Sequence, residues 1–286
     1  MTNLKKNIDF KTVKSFGDEW SRHNQEKISI KELKVFFNSY FSIFSWNKIN
    51  KKSVGFDLGC GSGRWAKFIS PKIGTLNCID PSLLAINVAK KNLQNFKNII
   101  FFNISVDLLV KKLKKNSQDF GYSLGVLHHV PDTHRALESC YNVLKPGAPF
   151  LIYLYYSFDN RGFVFKIIWK ISDILRKSIC ILPNLLKNLI TDLIALIIYF
   201  PISKLSFLLE KLSFDTSNII LSYYKNSSFA TMRTDSRDRF GTPLEKRFSK
   251  EEIYKMMQQT GFKKIKFRNK APYWCAIGYK NSKSYE

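Results

Sequence analysis

Three groups of residues in this 286-residue chain have the types and spacing to do chemistry. In the first, Val54, Phe56 and Leu58 mark a short buried strand that carries Asp57 and runs into Gly59, Cys60, Gly61 and Gly63. A helix then opens at Arg64-Trp65-Ala66. Glycine is needed where the chain turns sharply and a ligand must approach the backbone with no Cβ in the way. The N–H groups at the following helix start suit a ribose, a phosphate or a carboxylate. In the second group, His128 and His129 end a strand that begins at Phe120. An imidazole there can take a proton near neutrality, or can cap the next helix. His128 is the candidate base, balanced against a structural role, and His129 reads as structural. Tyr153 and Tyr155 share a face of the next strand by alternation, so one or both border a pocket or pack in the core, and Tyr155 is the second catalytic candidate. The third group is Arg233, Arg237 and Arg239, with two aspartates, in a loop-like segment spanning 231–241. Arginine forks fit a carboxylate or phosphate of an anionic acceptor, or else pair among themselves on the surface.

The elements that must position these groups follow from apolar spacing. Trp65, Phe68 and Ile69 share one helix face, and Pro71 and Gly74 end that helix. Leu76 to Ile79 form a second strand, with Asp80 at its tip, 23 positions after Asp57. A carboxylate there accepts the two hydroxyls of an adenosine ribose, or N-caps the helix that follows with Leu84 and Val88 on one face. On the glycines and Asp80 alone, a nicotinamide or flavin dinucleotide stays a rival. Leu137, Cys140, Tyr141 and Leu144 mark a helix after the histidines, followed by Lys145-Pro146-Gly147 and an apolar strand from Phe150 to Tyr155.

Taken in order, D-L-G-C-G-S-G at 57–63, Asp80, L-H-H-V-P-D at 127–132 and L-K-P-G at 144–147 resemble the class I S-adenosylmethionine-dependent methyltransferases. The resemblance is to the branch of quinone-biosynthesis and related small-molecule enzymes (type 11), over roughly residues 50 to 156. It implies S-adenosylmethionine as cofactor and a Rossmann-like, seven-stranded, mostly parallel sheet with helices on both faces. It further implies that Asp57, Gly59, Cys60, Gly61 and Gly63 hold the amino-acid end of the cofactor and Asp80 its ribose. Ser105, Val106 and Asp107 become the adenine candidates, with Leu124 bordering the same site. Many relatives place an acid-Ala pair where this chain has Ile104-Ser105. Phe16-Gly17-Asp18-Glu19-Trp20 resembles an F-G-x-x-W element upstream of the glycines. Trp20 there either closes over the cofactor or packs the leader onto the core.

Four regions follow: a helical leader (1–50), the cofactor-binding core (51–156), an insertion (157–248), and a closing helix with a strand pair (249–286). The last region opens on the capping box Ser249-Lys250-Glu251-Glu252 and its helix stops at Gly261. In the insertion, Val164, Ile167, Ile168, Ile171, Ile174 and Leu175 face one way, and Lys166, Lys170, Asp173 and Lys177 the other. The most apolar stretch, 189–202, holds Asp192 and ends near Pro201, short of the ~20 apolar residues a spanning helix requires. It reads as a helical cap over a small-molecule or lipid-like acceptor, or as an interfacial segment through 163–209 in peripheral contact with a membrane. Five scattered cysteines argue against a disulfide framework or a zinc site. With no apolar run in the first 20 residues, the expected location is the cytoplasm or the inner face of its membrane. The net charge of +24 is spread as lysine pairs rather than gathered in one patch, which reads as solvated faces. An RNA acceptor held by that basic surface is one alternative function, and a non-catalytic, membrane-associated cofactor-binding protein is another.

Overall fold

A computed structural model describes residues 6–216 and 218–282; residues 1–5, including Lys5 of the first lysine pair, lie outside it, as do Ser217 and residues 283–286. Seven strands form one sheet: β1 (Val54–Leu58), β2 (Thr75–Ile79), β3 (Ile99–Phe102), β4 (Phe120–Leu124), β5 (Pro149–Tyr153), β6 (Lys263–Phe267) and β7 (Cys275–Tyr279). Their order is β3-β2-β1-β4-β5-β7-β6, with β7 antiparallel to both of its neighbours and every other pairing parallel. The parallel strands are apolar on both faces because helices cover both. At the centre, two glycines let the rings of their paired neighbours lie over the adjacent strand, one on each face of the sheet. A Cβ on Gly55 would lie 2.2 Å from the Phe120 ring, and one on Gly121 would lie 2.2 Å from the Phe56 ring.

Eleven helices among the described residues surround the sheet. The leader forms α1 (Phe10–Arg22) and α2 (Ile30–Tyr40); α3 (Ala66–Ile69), α4 (Leu83–Asn92), α5 (Leu109–Leu113) and α6 (Thr133–Val143) alternate with the parallel strands. The insertion forms α7 (Phe163–Ile179), α8 (Asn184–Ile194), α9 (Phe200–Lys211) and α10 (Phe229–Gly241), and α11 (Lys250–Thr260) precedes the last strand pair. One apolar layer packs α5, α6 and α11 beneath the sheet, around Phe56, Leu137, Phe150 and Met257. The other packs α2, α3 and α4 above it, around Phe41, Trp65, Ile86 and Tyr122. The closing helix carries the expected capping box at Ser249 and a left-handed Gly261.

Several sequence expectations change. The strand does not end in the histidine pair: β4 stops at Leu124, Gly125 takes a positive φ of 78°, and the histidines sit in a tight turn, Leu127–His129. Asp80 is not the N-cap of α4; Ser82 is, and α4 buries Ala85, Ile86 and Ala89 while Leu84 stays exposed. The loop expected over 231–241 is helix α10, because Ser228 caps its N-terminus. Nor does Pro201 end a helix. Over Ala195–Tyr199 the winding widens so that the Phe200 N–H reaches the Ala195 carbonyl, and α8 continues into α9 as one helix of 28 residues. A wide turn beside a proline absorbs the backbone bond that proline cannot make.

Candidate functional site

A cavity of about 610 Å³ runs from the C-terminal ends of β1, β2 and β4 to the inner walls of α7, α8 and α10. At the sheet end, Gly59, Gly61 and Gly63 all take positive φ. A Cβ on Gly61 would lie 2.8 Å from the Trp20 indole, so the leader seats directly on the loop. Gly59, Cys60, Leu124 and Trp20 line the cavity, and Asp57, Gly61 and Gly63 stand behind that wall.

Asp80 lines the cavity and accepts from Gly61 N–H at 3.0 Å and from Ser82 N–H at 2.8 Å. Burial pushes its carboxyl up to about 6 in spite of those two donors. The Asn103 side chain donates to the Asp80 carbonyl at 3.0 Å and steadies this strand tip. Asp57 is raised to about 7 by burial, and its Oδ2 has no hydrogen-bond partner. Ser105 and Val106 line the same end, but Asp107 does not: it is held by Arg135 at 2.7 Å and by the Asn7 backbone. Arg64, not anticipated from the sequence, lines the cavity with its guanidinium over the faces of Trp65 (4.5 Å) and Trp20 (5.4 Å).

At the far end the structure places His129, not His128, on the cavity wall. His128 is fully buried and absent from the cavity wall; its ring stacks on Tyr155 at 3.9 Å and its Nδ1 accepts from the Tyr155 N–H at 3.4 Å. Burial holds it well below the usual imidazole range, so it is a neutral packing ring. His129 lines the cavity, with Nδ1 2.6 Å from the Leu244 carbonyl. A carbonyl only accepts, so Nδ1 carries the proton and Nε2 the lone pair. That Nε2 lies 4.0 Å from Asp238 Oδ1, and neither atom has a hydrogen-bond partner. The other Asp238 oxygen accepts from the Tyr155 hydroxyl. Burial raises the Asp238 carboxyl and lowers the His129 imidazole, each opposed by the other's charge. His129, Asp238 and Tyr155 therefore form one cluster of titratable side chains on the cavity wall.

The three arginines do not converge on an open site. Arg233 grips Asp192 through Nε at 3.0 Å and its terminal nitrogen at 2.6 Å, beside Arg22. Arg237 is fully buried and donates to Asn188 at 2.9 Å and Ser15 at 3.3 Å. Arg239 reaches the cavity edge but is held by both Glu245 oxygens, at 3.0 and 3.1 Å. The self-paired alternative is what the geometry displays. Once 231–241 is a helix, the useful signal is Thr231, Asp235 and Asp238 at i, i+4 and i+7, which all line the cavity. Asp235, raised to about 6 by burial, was missed for the same reason. Arg247, stacked over Tyr155 and Phe158 at 5.2 and 4.9 Å, carried no local signal.

Residues 56–152 match the methyltransferase-domain family. The chain is 31% identical over 100 residues to phosphoethanolamine N-methyltransferase 2 of Caenorhabditis elegans, covering 35% of this chain and 23% of that protein. It is 29% identical over 108 residues to the ubiquinone biosynthesis O-methyltransferase of Coxiella burnetii, covering 37% of this chain and 44% of the relative. The chain thus spans less than half the length of these curated relatives. Among solved structures, a putative methyltransferase in complex with a Haloferax volcanii methyltransferase activator superposes with a TM-score of 0.53 at 12% identity, over 93% of this chain and 97% of that one. A putative methyltransferase from Bacillus halodurans gives 0.50 at 10% identity, over 81% and 71%. At such identities the structures establish the shared fold.

Proposed function

With its sheet core belonging to the class I S-adenosylmethionine-dependent methyltransferases, we propose that this chain methylates a small, lipid-like acceptor through an ionisable O–H or N–H. One observation carries the reading: a single cavity joins the glycine loop to the His129–Asp238–Tyr155 cluster and then to an apolar wall of Ile168, Ile171, Leu175, Ile194 and Ile198. The residues fit the cofactor. The positive-φ glycines turn the loop with no Cβ standing between it and a ligand, Asp80 retains lone pairs for ribose hydroxyls, and Arg64 sets a cation beside the loop for an amino-acid carboxylate. S-adenosylmethionine supplies an electrophilic methyl group on a sulfonium when bound. The chain's part is alignment and exclusion of water, where near-attack positioning contributes ~7–11 kcal/mol.

His129 Nε2 receives the acceptor's proton, with the Nδ1 bond to Leu244 fixing the ring. Asp238 stabilises the imidazolium that forms, and Tyr155 holds Asp238 in place. Phe16 packs edge-on to His129 at 4.8 Å and keeps the cluster dry. The reading includes a cytoplasmic location with peripheral membrane contact through 163–209, supported by five free cysteines and the apolar exterior of the insertion. The test is transfer of labelled methyl from S-adenosylmethionine into a host-cell extract, separated into organic, aqueous and nucleic-acid fractions. Label in the organic fraction, lost in His129→Gln, is the expected result; label in RNA overturns the reading.

A further inference from the structure

The long helix of the insertion is amphipathic in the wrong sense for water. Over Asn184–Lys211 its buried positions include Thr191, Ala195, Tyr199, Ser203 and Ser206, a mostly polar or small stripe at helical spacing. That stripe is fastened to α10. Ser236 donates to the Thr191 carbonyl at 2.8 Å, Ser203 contacts the Met232 sulfur at 3.6 Å, and Arg233 clamps Asp192. The opposite stripe of Leu185, Leu189, Leu193, Leu196, Ile197 and Leu208 is 44–82% exposed. Helix α7 repeats the pattern beside it, with Phe163, Val164, Ile171 and Ile174 exposed. Scattered exposed leucines are ordinary, but a two-helix apolar ridge whose polar side faces the protein is not.

The charges on these helices choose the partner. Lys166, Lys170, Lys177, Lys204 and Lys211 are exposed, whereas the one exposed acid on α7 to α9, Glu210, is paired with Lys225 at 2.5 Å. We propose that this ridge seats the protein on an anionic lipid bilayer, with α8 and α9 lying in the interface rather than crossing it. Twenty-eight residues are long enough to span, at ~1.5 Å per residue. Spanning, however, would strip the helix from α10 and leave Asp192 without Arg22 and Arg233 in hydrocarbon. A lengthwise apolar stripe flanked by exposed lysines is the pattern of an interfacial helix.

Docking also orients the cavity. Ile168, Ile171, Leu175 and Ile198 are exposed on the ridge and line the cavity, so an amphiphile in the bilayer reaches the proton-handling cluster between α7 and α8 without crossing water. That passage rests on the methyltransferase reading; the docking does not.

The test is flotation of the full chain with phosphatidylcholine vesicles, with and without phosphatidylglycerol. Flotation is expected to rise ~10-fold or more with the anionic lipid and to fall with salt. Leu185→Ser/Leu189→Ser/Ile197→Ser, all outside the cavity wall, should lose flotation while keeping S-adenosylhomocysteine affinity, which shows that the variant is folded. Lys166→Gln/Lys170→Gln/Lys204→Gln should lose the preference for phosphatidylglycerol. The proposal is overturned if the wild-type chain stays in the aqueous phase, if the serine variant floats as wild type does, or if the protein resists alkaline extraction as a spanning helix would. Flotation without any S-adenosylhomocysteine binding would sink the proposed activity and leave the docking intact.

Discussion

The two ends of the cavity are built by different means. The cofactor end is backbone: glycines at positive φ, strand tips, and a carboxylate held by two N–H groups within 19 and 2 residues of it. The end proposed for the acceptor is side chains brought together from far apart, with Tyr155 and Asp238 separated by 83 positions and His129 and Leu244 by 115. Backbone cradles tolerate little change and serve one ligand; a side-chain wall can be rebuilt around another acceptor while the cradle stays. Substitutions at the two ends should therefore separate cleanly into affinity for the cofactor and rate of transfer.

The largest effect should come from the acceptor end. His129→Gln is expected to lower kcat by ~10²–10⁴ with cofactor affinity unchanged, the range for loss of a positioned base. His128→Asn, which disturbs only the ring behind Tyr155, should change stability more than kcat. If the two variants exchange behaviours in steady-state kinetics, the assignment of the base to His129 is wrong. Arg237 comes next. Removing its fully buried guanidinium in Arg237→Ala leaves Asn188 and Ser15 without that donor and Glu19 without its largest favourable charge. Losing hydrogen bonds from a charged donor of this kind costs about 1.5–3 kcal/mol, read by chemical denaturation. A neutral outcome there would return the arginines to a role in binding the acceptor.

Asp80→Ala should act at the other end alone. Loss of a hydrogen-bonding carboxylate is worth about 1.5–3 kcal/mol, so S-adenosylhomocysteine affinity should fall ~10–100-fold by calorimetry. Transfer at saturating cofactor should stay within a few-fold of wild type. A loss of kcat with affinity intact would merge the two ends into one.

The same contrast decides what could be read without coordinates. The sheet, the glycine loop, Asp80 and the closing helix were legible because each is written in a contiguous run of residues, strand then turn then cap. The place of the histidine pair differs because the strand begun at Phe120 was carried through Gly125, whose positive φ ends it and sends the next residues into a tight turn. The segment 231–241 misled because its charges resemble a loop, while its N-cap, Ser228, lies just outside the arginine-rich run. Asp238 could be found only by asking which residues share a face with Thr231 once that segment is a helix. At Pro201 the error was local: proline was taken as a stop, and the widened turn before it lets the helix pass.

The smallest expected effect concerns Asp57, which belongs to the cofactor end yet touches no cavity. Burial raises its carboxyl to about 7, above the ordinary aspartate value of about 3.9 in an unfolded chain. A raised carboxyl means that the folded state holds a proton the unfolded state has given up, so this group's contribution to stability is greatest at low pH. That contribution falls as pH climbs from about 4 to about 7 and is constant above. The whole-protein profile mixes this with Asp80 and Asp235, raised in the same sense, and with His128 and His129, whose lowered values act in the opposite sense as pH falls. The informative quantity is therefore the difference between wild type and Asp57→Asn. Asparagine has nearly the same shape and carries no charge, so its stability relative to wild type should rise by about 2.6 kcal/mol between pH 5 and pH 8. Paired urea titrations at the two pH values would measure it. A difference that does not change with pH would mean that Asp57 is ionised throughout, with its charge compensated inside the loop, and the backbone cradle would then carry a fixed negative charge beneath the cofactor.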